Sequence, residues 1–398
     1  MRQRTTMQNR NNIIIIDRIP DKNWYTYILA KKLAEHVNVK VYAQKSCNIK
    51  EKFIKKVWSS YLYFFDISRH ILRDRPKVIN LQFEFAMFGH VINSIFTIPL
   101  LYLLRHLLKV KIVTTLHMVF PRSQYYEYLK QLVRIHKSFL EKLFIGILYY
   151  YFYVTTYLLI KASDKIIVHG NIFKLYLSDY ISYNEFKRKI EVIPLGIEPR
   201  ELCSTSIKNK IIHDKIVLLF YGVISPRKGY DEIVRDLDID MTSSVLIVIA
   251  GKVPTYYKWY LKTILDIIAN KKLKNVILIP HHIPYEVLPQ LYRYATFTVL
   301  LYKRVIAASA VLSESLEFCV PVIVTTDPYF YEILGKKYIF YMNNFNIDAI
   351  KNYYYLLREK HELLTNTAKY IEIIRQKYSW DNVAKMYINV YEKLYNGV

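Results

Sequence analysis

Three cysteines and nine glycines are all that 398 residues contain, and Asp and Glu number 33 against 57 Lys and Arg. Cys47, Cys203 and Cys319 lie far apart with no CxxC pair, which argues against a zinc knuckle or a disulfide framework and fits a reducing compartment. No run of five or six basic residues and no low-complexity tract occurs. A nucleic-acid-binding tail is therefore not expected, and the tyrosines fall mostly within apolar runs rather than along a basic stripe, so nucleic acid is not an expected partner. The basic opening MRQRTTMQNRNN is followed by only four isoleucines before Asp17, too short an apolar core for a signal peptide. A cytoplasmic protein is the expectation, with the inner membrane face as its peripheral site.

The composition, 53% hydrophobic and 23% charged, is that of a globular chain, and the length suits two domains better than one core. A formal net charge of +24 favours polyanions, phosphorylated ligands or an anionic membrane surface without choosing among them. One stretch, Leu143–Ile160, carries no charge and is flanked by Lys142 and Lys161. It just reaches the length of a membrane span, yet its tyrosines and threonines suit a helix buried on most sides, with a surface-bound helix as the second reading.

Short apolar runs alternate with helical periodicity along the whole chain. In the first half NIIIID (12–17), VKVYA (39–43), KVINLQF (77–83), KIVTTLH (111–117), KIIVHG (165–170) and IEVIPLG (190–196) read as buried strands. A polar stretch after Gly196 reads as a linker. Alternation then restarts with IVLLFYG (216–222), SVLIVIAG (244–251), NVILIP (275–280), FTVLLY (297–302) and PVIVTT (321–326). The tail, with Ser379 as N-cap, predicts a terminal helix. The expected fold is α/β: two Rossmann-like doubly wound domains facing across a cleft, over 1–200 and 201–376, with a terminal helix over 377–398.

Chemistry gathers at strand ends. YGVISPRKGYDEIV places Arg227 and Lys228 just before a helix, where cations and free backbone N–H groups can receive a diphosphate, although a solvated basic loop has the same look. In LLYKRVIAASAVLSESLEF, Ser309 is placed to cap a helix, small residues admit a ligand, and Lys303 and Arg304 reach the same anion. Glu314, more than one turn in, can accept from the vicinal hydroxyls of a ribose, with Glu317 expected to be the solvent-facing acid. His117 closes TTLH at a strand end, where a histidine can receive or orient a proton, though a lone histidine is more often structural. Gln82 and Glu84 end another strand, and Arg18 and Lys22 follow the first. No carboxylate or histidine cluster has metal-ligand spacing, and neither a metal nor another cofactor is expected.

Together VTTLH, ASDKIIVHG, KIEVIPLGI, YGVISPRKG, LYKRVIAASAVLSESLEFCVPVIVTT and YSWDNVAKMYINVYEKL resemble, in order and spacing from about residue 12 to 395, the retaining glycosyltransferases of family 4 with the GT-B fold. The resemblance implies that Arg227 and Lys228 contact the donor diphosphate, that Glu314 holds the nucleotide ribose, that His117 is the sugar-side histidine, that the terminal helix over 377–398 crosses back to the first domain, and that no metal is needed. Ile306 stands where the first of the family's paired acids would be, RIPDKNWY replaces the usual glycine pair after the first strand, and Val223 replaces a common arginine. The implied function is sugar transfer from a nucleotide diphosphate donor to a glycan or lipid-linked acceptor, with retention. The alternative class is a weak or inactive scaffold for phosphorylated or membrane ligands, for which Ile306 and the altered first loop speak.

Overall fold

Runs of β-branched and aromatic residues make the strands. Ile13 to Ile16, all fully buried, cannot alternate between core and solvent, so they form an interior strand of a parallel sheet covered on both faces. The computed structural model describes the chain except for residues 1–11, 23, 60–62, 86, 90, 123–128, 130–138, 201, 212–214, 238–243, 304 and 397–398. It separates into two compact units. Unit 1 comprises Met1–Pro194, Ile306–Ala308 and Trp380–Val398, and unit 2 comprises Leu195–Val305 and Ser309–Ser379.

The strands of unit 1 are β1 (Asn12–Ile16), β2 (Asn38–Gln44), β3 (Ile54–Trp58), β4 (Val78–Phe83), β5 (Lys111–Leu116), β6 (Lys165–Val168) and β7 (Ile190–Val192). Their order in the sheet is β3-β2-β1-β4-β5-β6-β7, and every pairing is parallel. Its helices are α1 (Tyr25–Ala34), α2 (Tyr63–Asp74), α3 (Thr97–Leu108), α4 (Phe139–Ala162), α5 (Asn171–Tyr176) and α6 (Tyr183–Lys189). The strand β3 was not anticipated, because Lys55 and Lys56 break its apolar run.

Among the described residues unit 2 has five strands, β8 (Ile216–Tyr221), β9 (Val245–Ala250), β10 (Val276–Ile279), β11 (Phe297–Leu300) and β12 (Val322–Val324), ordered β10-β9-β8-β11-β12 and again parallel throughout. Its helices are α7 (Cys203–Ile211), α8 (Tyr230–Arg235), α9 (Lys258–Asn270), α10 (Leu288–Tyr294), α11 (Ala310–Glu317), α12 (Pro328–Leu334), α13 (Ile347–Glu359) and α14 (His361–Lys377). The last helix, α15 (Trp380–Tyr395), belongs to unit 1. It buries Trp380, Val383, Tyr387 and Tyr391 in the same core as Leu29, Leu33, Val41 and Val113.

Two expectations are corrected. The polar stretch after Gly196 is not a linker throughout: within it α7 buries Cys203, Ile207 and Ile211, a stripe at helical spacing that the surrounding Lys, Asn and Ser residues obscure. Nor is the chain without a disulfide. Cys203 at the start of α7 and Cys319 just after α11 are joined across 116 residues, with Cα atoms 5.0 Å apart. Sequence distance hid this pair, since helix packing and not spacing brings it together. Arg375 Nη1 lies 2.8 Å and 2.7 Å from the two sulfurs, and among the described residues Cys47 is the free cysteine.

In each sheet the chain runs outward in one direction and then in the other. The reversal falls between β1 and β4 in unit 1 and between β8 and β11 in unit 2. The carboxyl ends of strands at such a reversal leave a crevice, which is where ligands of open α/β sheets bind.

Candidate functional site

In unit 1 the reversal gathers an acid, a histidine pair and a set of tyrosines. Asp17, one residue past β1, is 4% exposed. It accepts hydrogen bonds from Thr26 Oγ1 (2.5 Å), Trp24 Nε1 (2.8 Å) and the Arg18 backbone N–H (2.7 Å). Burial nevertheless pushes its carboxyl up to about 7, since an ion in this pocket lacks a countercharge.

His117, one residue past β5, is half-buried between two polar groups. Its Nε2 lies 2.9 Å from Gln82 Oε1 and its Nδ1 lies 3.2 Å from His169 Nε2. His169 Nδ1 is 2.8 Å from the Ile193 carbonyl. A carbonyl only accepts, so His169 carries its hydrogen on Nδ1, and its Nε2 is the acceptor for His117 Nδ1–H. Acceptors therefore stand on both sides of His117, an arrangement fully satisfied only by the imidazolium. Burial and the neighbouring His169 push His117 well below the usual histidine range, and burial holds His169 at about 4. The neutral ring leaves one of the two bonds unmade, so a proton arriving here finds its acceptors in place.

The tail fixes this pair. Trp380 packs against Tyr25 with ring centroids 5.1 Å apart, and Tyr25 meets His117 and His169 edge-on at 5.2 Å each. The Tyr25 and Tyr387 hydroxyls are 2.9 Å apart, and Asn80 Nδ2 donates to the Tyr391 hydroxyl at 2.7 Å. Gln82 was expected at the acceptor side. It is fully buried instead, with its amide nitrogen donating to Asn80 Oδ1 and Thr115 Oγ1 and its oxygen on His117, so it positions the histidine. Arg18, Lys22 and Glu84 are exposed.

In unit 2 the reversal gathers cations, an aromatic ring and an acid. Gly222 follows β8 with φ of +104°, and a Cβ there would collide with Lys228 Nζ and stand 3.2 Å from Val311. The close passage of the chain under Lys228 needs glycine. Pro226, Arg227 and Lys228 form a 3-10 turn closed by Gly229 at φ +68°. Lys228 is 4% exposed, and its ammonium donates to the Tyr221 carbonyl at 2.6 Å. Burial first, then Arg227, lowers its pKa to about 7, and Glu314 works the other way.

Arg227 and Lys228 both lie over the Tyr302 ring, at 5.0 Å and 5.2 Å, a contact in which the ring's negative face offsets two adjoining cations. The Tyr302 hydroxyl is 3.3 Å from Ser309 Oγ. Ser309 caps α11 as expected, accepting from Leu312 N–H at 3.2 Å. Glu314 Oε2 accepts from the buried Tyr292 hydroxyl at 2.9 Å, which holds one oxygen in place. Arg227, Lys228, Ser309 and Glu314 thus sit around one ring and one helix start.

Lys303, expected near the same anion, donates from its ammonium to Glu232 Oε1 at 2.6 Å in an exposed pair. Arg304 lies outside the described residues. Glu317 is not a solvent acid, because it is paired with Arg200 and burial raises its carboxyl to about 7 against that pairing. Ile306 is 4% exposed and its carbonyl accepts from Val119 N–H at 3.1 Å. Among the described residues no three His, Cys, Asp or Glu side chains cluster as a metal site requires.

Asp17, Tyr25, His169 and Tyr387 escaped notice in the sequence. His169 had a signal, ending KIIVH as His117 ends KIVTTLH. The others are recognisable only through contacts between distant segments.

Known proteins bear on this arrangement. No curated protein matches the sequence. Residues 23–201 match Glycosyltransferase Family 4 and residues 204–373 match Glycosyl transferases group 1. Among solved structures, sucrose-phosphate synthase from Thermosynechococcus elongatus is similar over 98% of this chain and 100% of its own, with a TM-score of 0.69 at 14% identity. A glycosyltransferase from Rickettsia africae gives 0.63 at 14% identity over 98% and 100% of the two chains. Anabaena HepE in complex with UDP and glucose gives 0.62 at 12% identity over 96% and 100%. At these identities the structures establish the fold. With the two family matches spanning both units, the chain belongs to the family 4, group 1 glycosyltransferases of the GT-B fold, and is a transferase of sugars.

Proposed function

We propose that the protein transfers a hexose-type sugar from a nucleotide diphosphate donor to a glycan or lipid-linked acceptor, with retention at the anomeric carbon. The observation that carries the donor reading is the cluster in unit 2, where Arg227 and Lys228 share the Tyr302 ring and Glu314 is pinned by Tyr292. Cleaving the donor releases a nucleoside diphosphate, so catalysis requires cations or N–H groups aimed at its developing charge. Arg227, Lys228 and the start of α11 at Ser309 supply these without a metal, and the carboxylate of Glu314 suits the two hydroxyls of a ribose.

UDP is the first nucleotide to test, because HepE was captured with UDP and UDP-glucose. His117 is the unit 1 group proposed to touch the sugar, with Gln82, His169 and Tyr25 as positioning residues. Retention is supported by the family alone, since no nucleophile is evident beside Lys228.

A panel of nucleotide sugars read by thermal shift tests the donor reading, and proton NMR of the first-formed product tests the stereochemistry. The expected result is one selective donor, lost in Lys228→Ala and Glu314→Ala, and a product with the donor's anomeric configuration. Folded protein that shifts with no donor would favour the scaffold reading, and an inverted product would overturn retention alone.

A further inference from the structure

The helix α4 carries an apolar stripe that the fold does not use. From Lys142 to Ala162 it is long and apolar enough to cross a membrane, yet only 33% of this stretch is buried. Ile145, Phe152, Leu159 and Ile160 face the core of unit 1. Leu143, Phe144, Ile147 and Tyr150, at helical spacing on another side, are all at least half exposed. Nothing lies within 4 Å of a Cβ built on Gly146 in the middle of that stripe.

A second apolar element lies beside it. The Tyr151 hydroxyl on α4 is 2.6 Å from Ser94 Oγ and donates to the Ile92 carbonyl at 3.3 Å. This ties α4 to the 3-10 segment Val91–Phe96, whose Ile92, Ile95 and Phe96 are also exposed. An exposed apolar surface spread over two joined elements marks a binding face in a water-facing protein.

Its charge identifies the partner. Neither Val91–Arg122 nor Lys142–Ser163 contains an aspartate or glutamate, whereas Arg105, Lys109, Lys111, Arg122, Lys142 and Lys161 fall within them. Arg105 and Lys161 pair with Asp164 and Glu185, and the Arg122 backbone N–H donates to Asp179, so the excess positive charge falls on Lys109, Lys111 and Lys142. Exposed Arg122 stands over Tyr153 of α4 at 5.0 Å, so cationic and aromatic groups meet on this helix. A two-fold contact with a second copy would set this same net-basic surface against itself, bringing like charges together. Spanning is excluded by the buried side of α4, which is part of unit 1's core. A helix with one buried and one exposed apolar side, set among cations and tyrosines, lies in the plane of an interface.

We propose that unit 1 docks on an anionic lipid surface through Ile92, Phe96, Phe144, Ile147 and Tyr150, with the neighbouring Lys and Arg side chains on the headgroups. This inference stands apart from the donor reading, because none of these residues belongs to the unit 1 cluster around His117 or the unit 2 cluster around Lys228.

Flotation of the full chain with phosphatidylcholine vesicles, with and without phosphatidylglycerol, tests it. Wild type is expected to float with the anionic vesicles and not the neutral ones, with binding reduced by salt. Phe144→Glu/Ile147→Glu is expected to lose flotation by more than tenfold while keeping its melting temperature and its donor shift. Leu202→Glu, an exposed position of unit 2 outside the proposed set of residues, should float as wild type does. Failure of wild type to float, or flotation of the double variant at the wild-type level, overturns the proposal. So does a wild-type dimer in lipid-free sedimentation that the double variant converts to monomer, which would assign the face to a second copy.

Discussion

His169 Nε2 lies 3.2 Å from His117 Nδ1, while the other nitrogen of His169 is fixed on the Ile193 carbonyl at 2.8 Å. The tautomer of His169 is set by the backbone, which leaves its Nε2 as an acceptor for His117. His169→Leu removes the acceptor and is expected to lower kcat about tenfold, the low end for losing an outer partner of a functional histidine, with donor affinity unchanged. His169→Gln, whose amide oxygen can accept from His117, should recover part of it. Replacing His117 itself should cost about 10²- to 10⁴-fold, the range for a positioned proton-transfer group. Equal kcat in wild type and His169→Leu would reduce His169 to a packing residue.

The depressed pKa of Lys228 makes donor binding pH-dependent. With a pKa of about 7 in the free protein, Lys228 is mostly neutral at pH 8. A diphosphate beside it raises that pKa, so binding takes up a proton. The sign follows directly: above pH 7 affinity falls as pH rises, by up to about tenfold per unit, because a proton must be acquired. Calorimetry at pH 8 in buffers of different ionisation enthalpy should show uptake of nearly one proton by wild type and none through this group in Lys228→Met.

Gly222→Ala tests the geometry that seats Lys228. The new Cβ must displace the ammonium, and the backbone at φ +104° is strained for alanine. Stability should fall by about 1–2 kcal/mol, and donor affinity should fall beyond what the same loss of stability elsewhere in unit 2 produces. Wild-type donor affinity in this variant would show that Lys228 is not required at its observed position.

The disulfide predicts a thiol count. Unreduced, unfolded protein should alkylate once, at Cys47, and three times after reduction, as mass spectrometry reads directly. The Cys203–Cys319 link closes a loop across 116 residues, for which the chain-entropy account gives about 4–5 kcal/mol. Reduction should therefore lower the melting temperature of unit 2. Three alkylations before reduction would contradict the pairing.

The strands were legible because Ile13–Ile16 and Val322–Val324 are apolar runs between turns, and Ser309 was legible because a cap needs only its own helix. Arg227, Lys228 and Glu314 could be named from their own stretches, and the structure sets the two cations over the Tyr302 ring and Glu314 on the Tyr292 hydroxyl. Glu317 misled because its partner, Arg200, lies 117 residues away, and the pairing of Lys303 with Glu232, 71 residues apart, was equally invisible in the sequence. Gln82 misled for a similar reason: the terminus of β4 was visible, but the neighbours that bury its amide come from β5 and from its own strand. Cys203 and Cys319 are the extreme case, joined by tertiary packing alone.

Release of nucleoside diphosphate from the donor selected by thermal shift, compared between wild type, Lys228→Ala and Glu314→Ala, tests the central claim most directly. The account predicts turnover in wild type, loss of about 10²- to 10³-fold for Lys228→Ala, as for removal of one group that stabilises the developing charge, and a Glu314→Ala defect expressed mainly in KM. Turnover in both variants equal to wild type would contradict the assignment of this cluster to the donor.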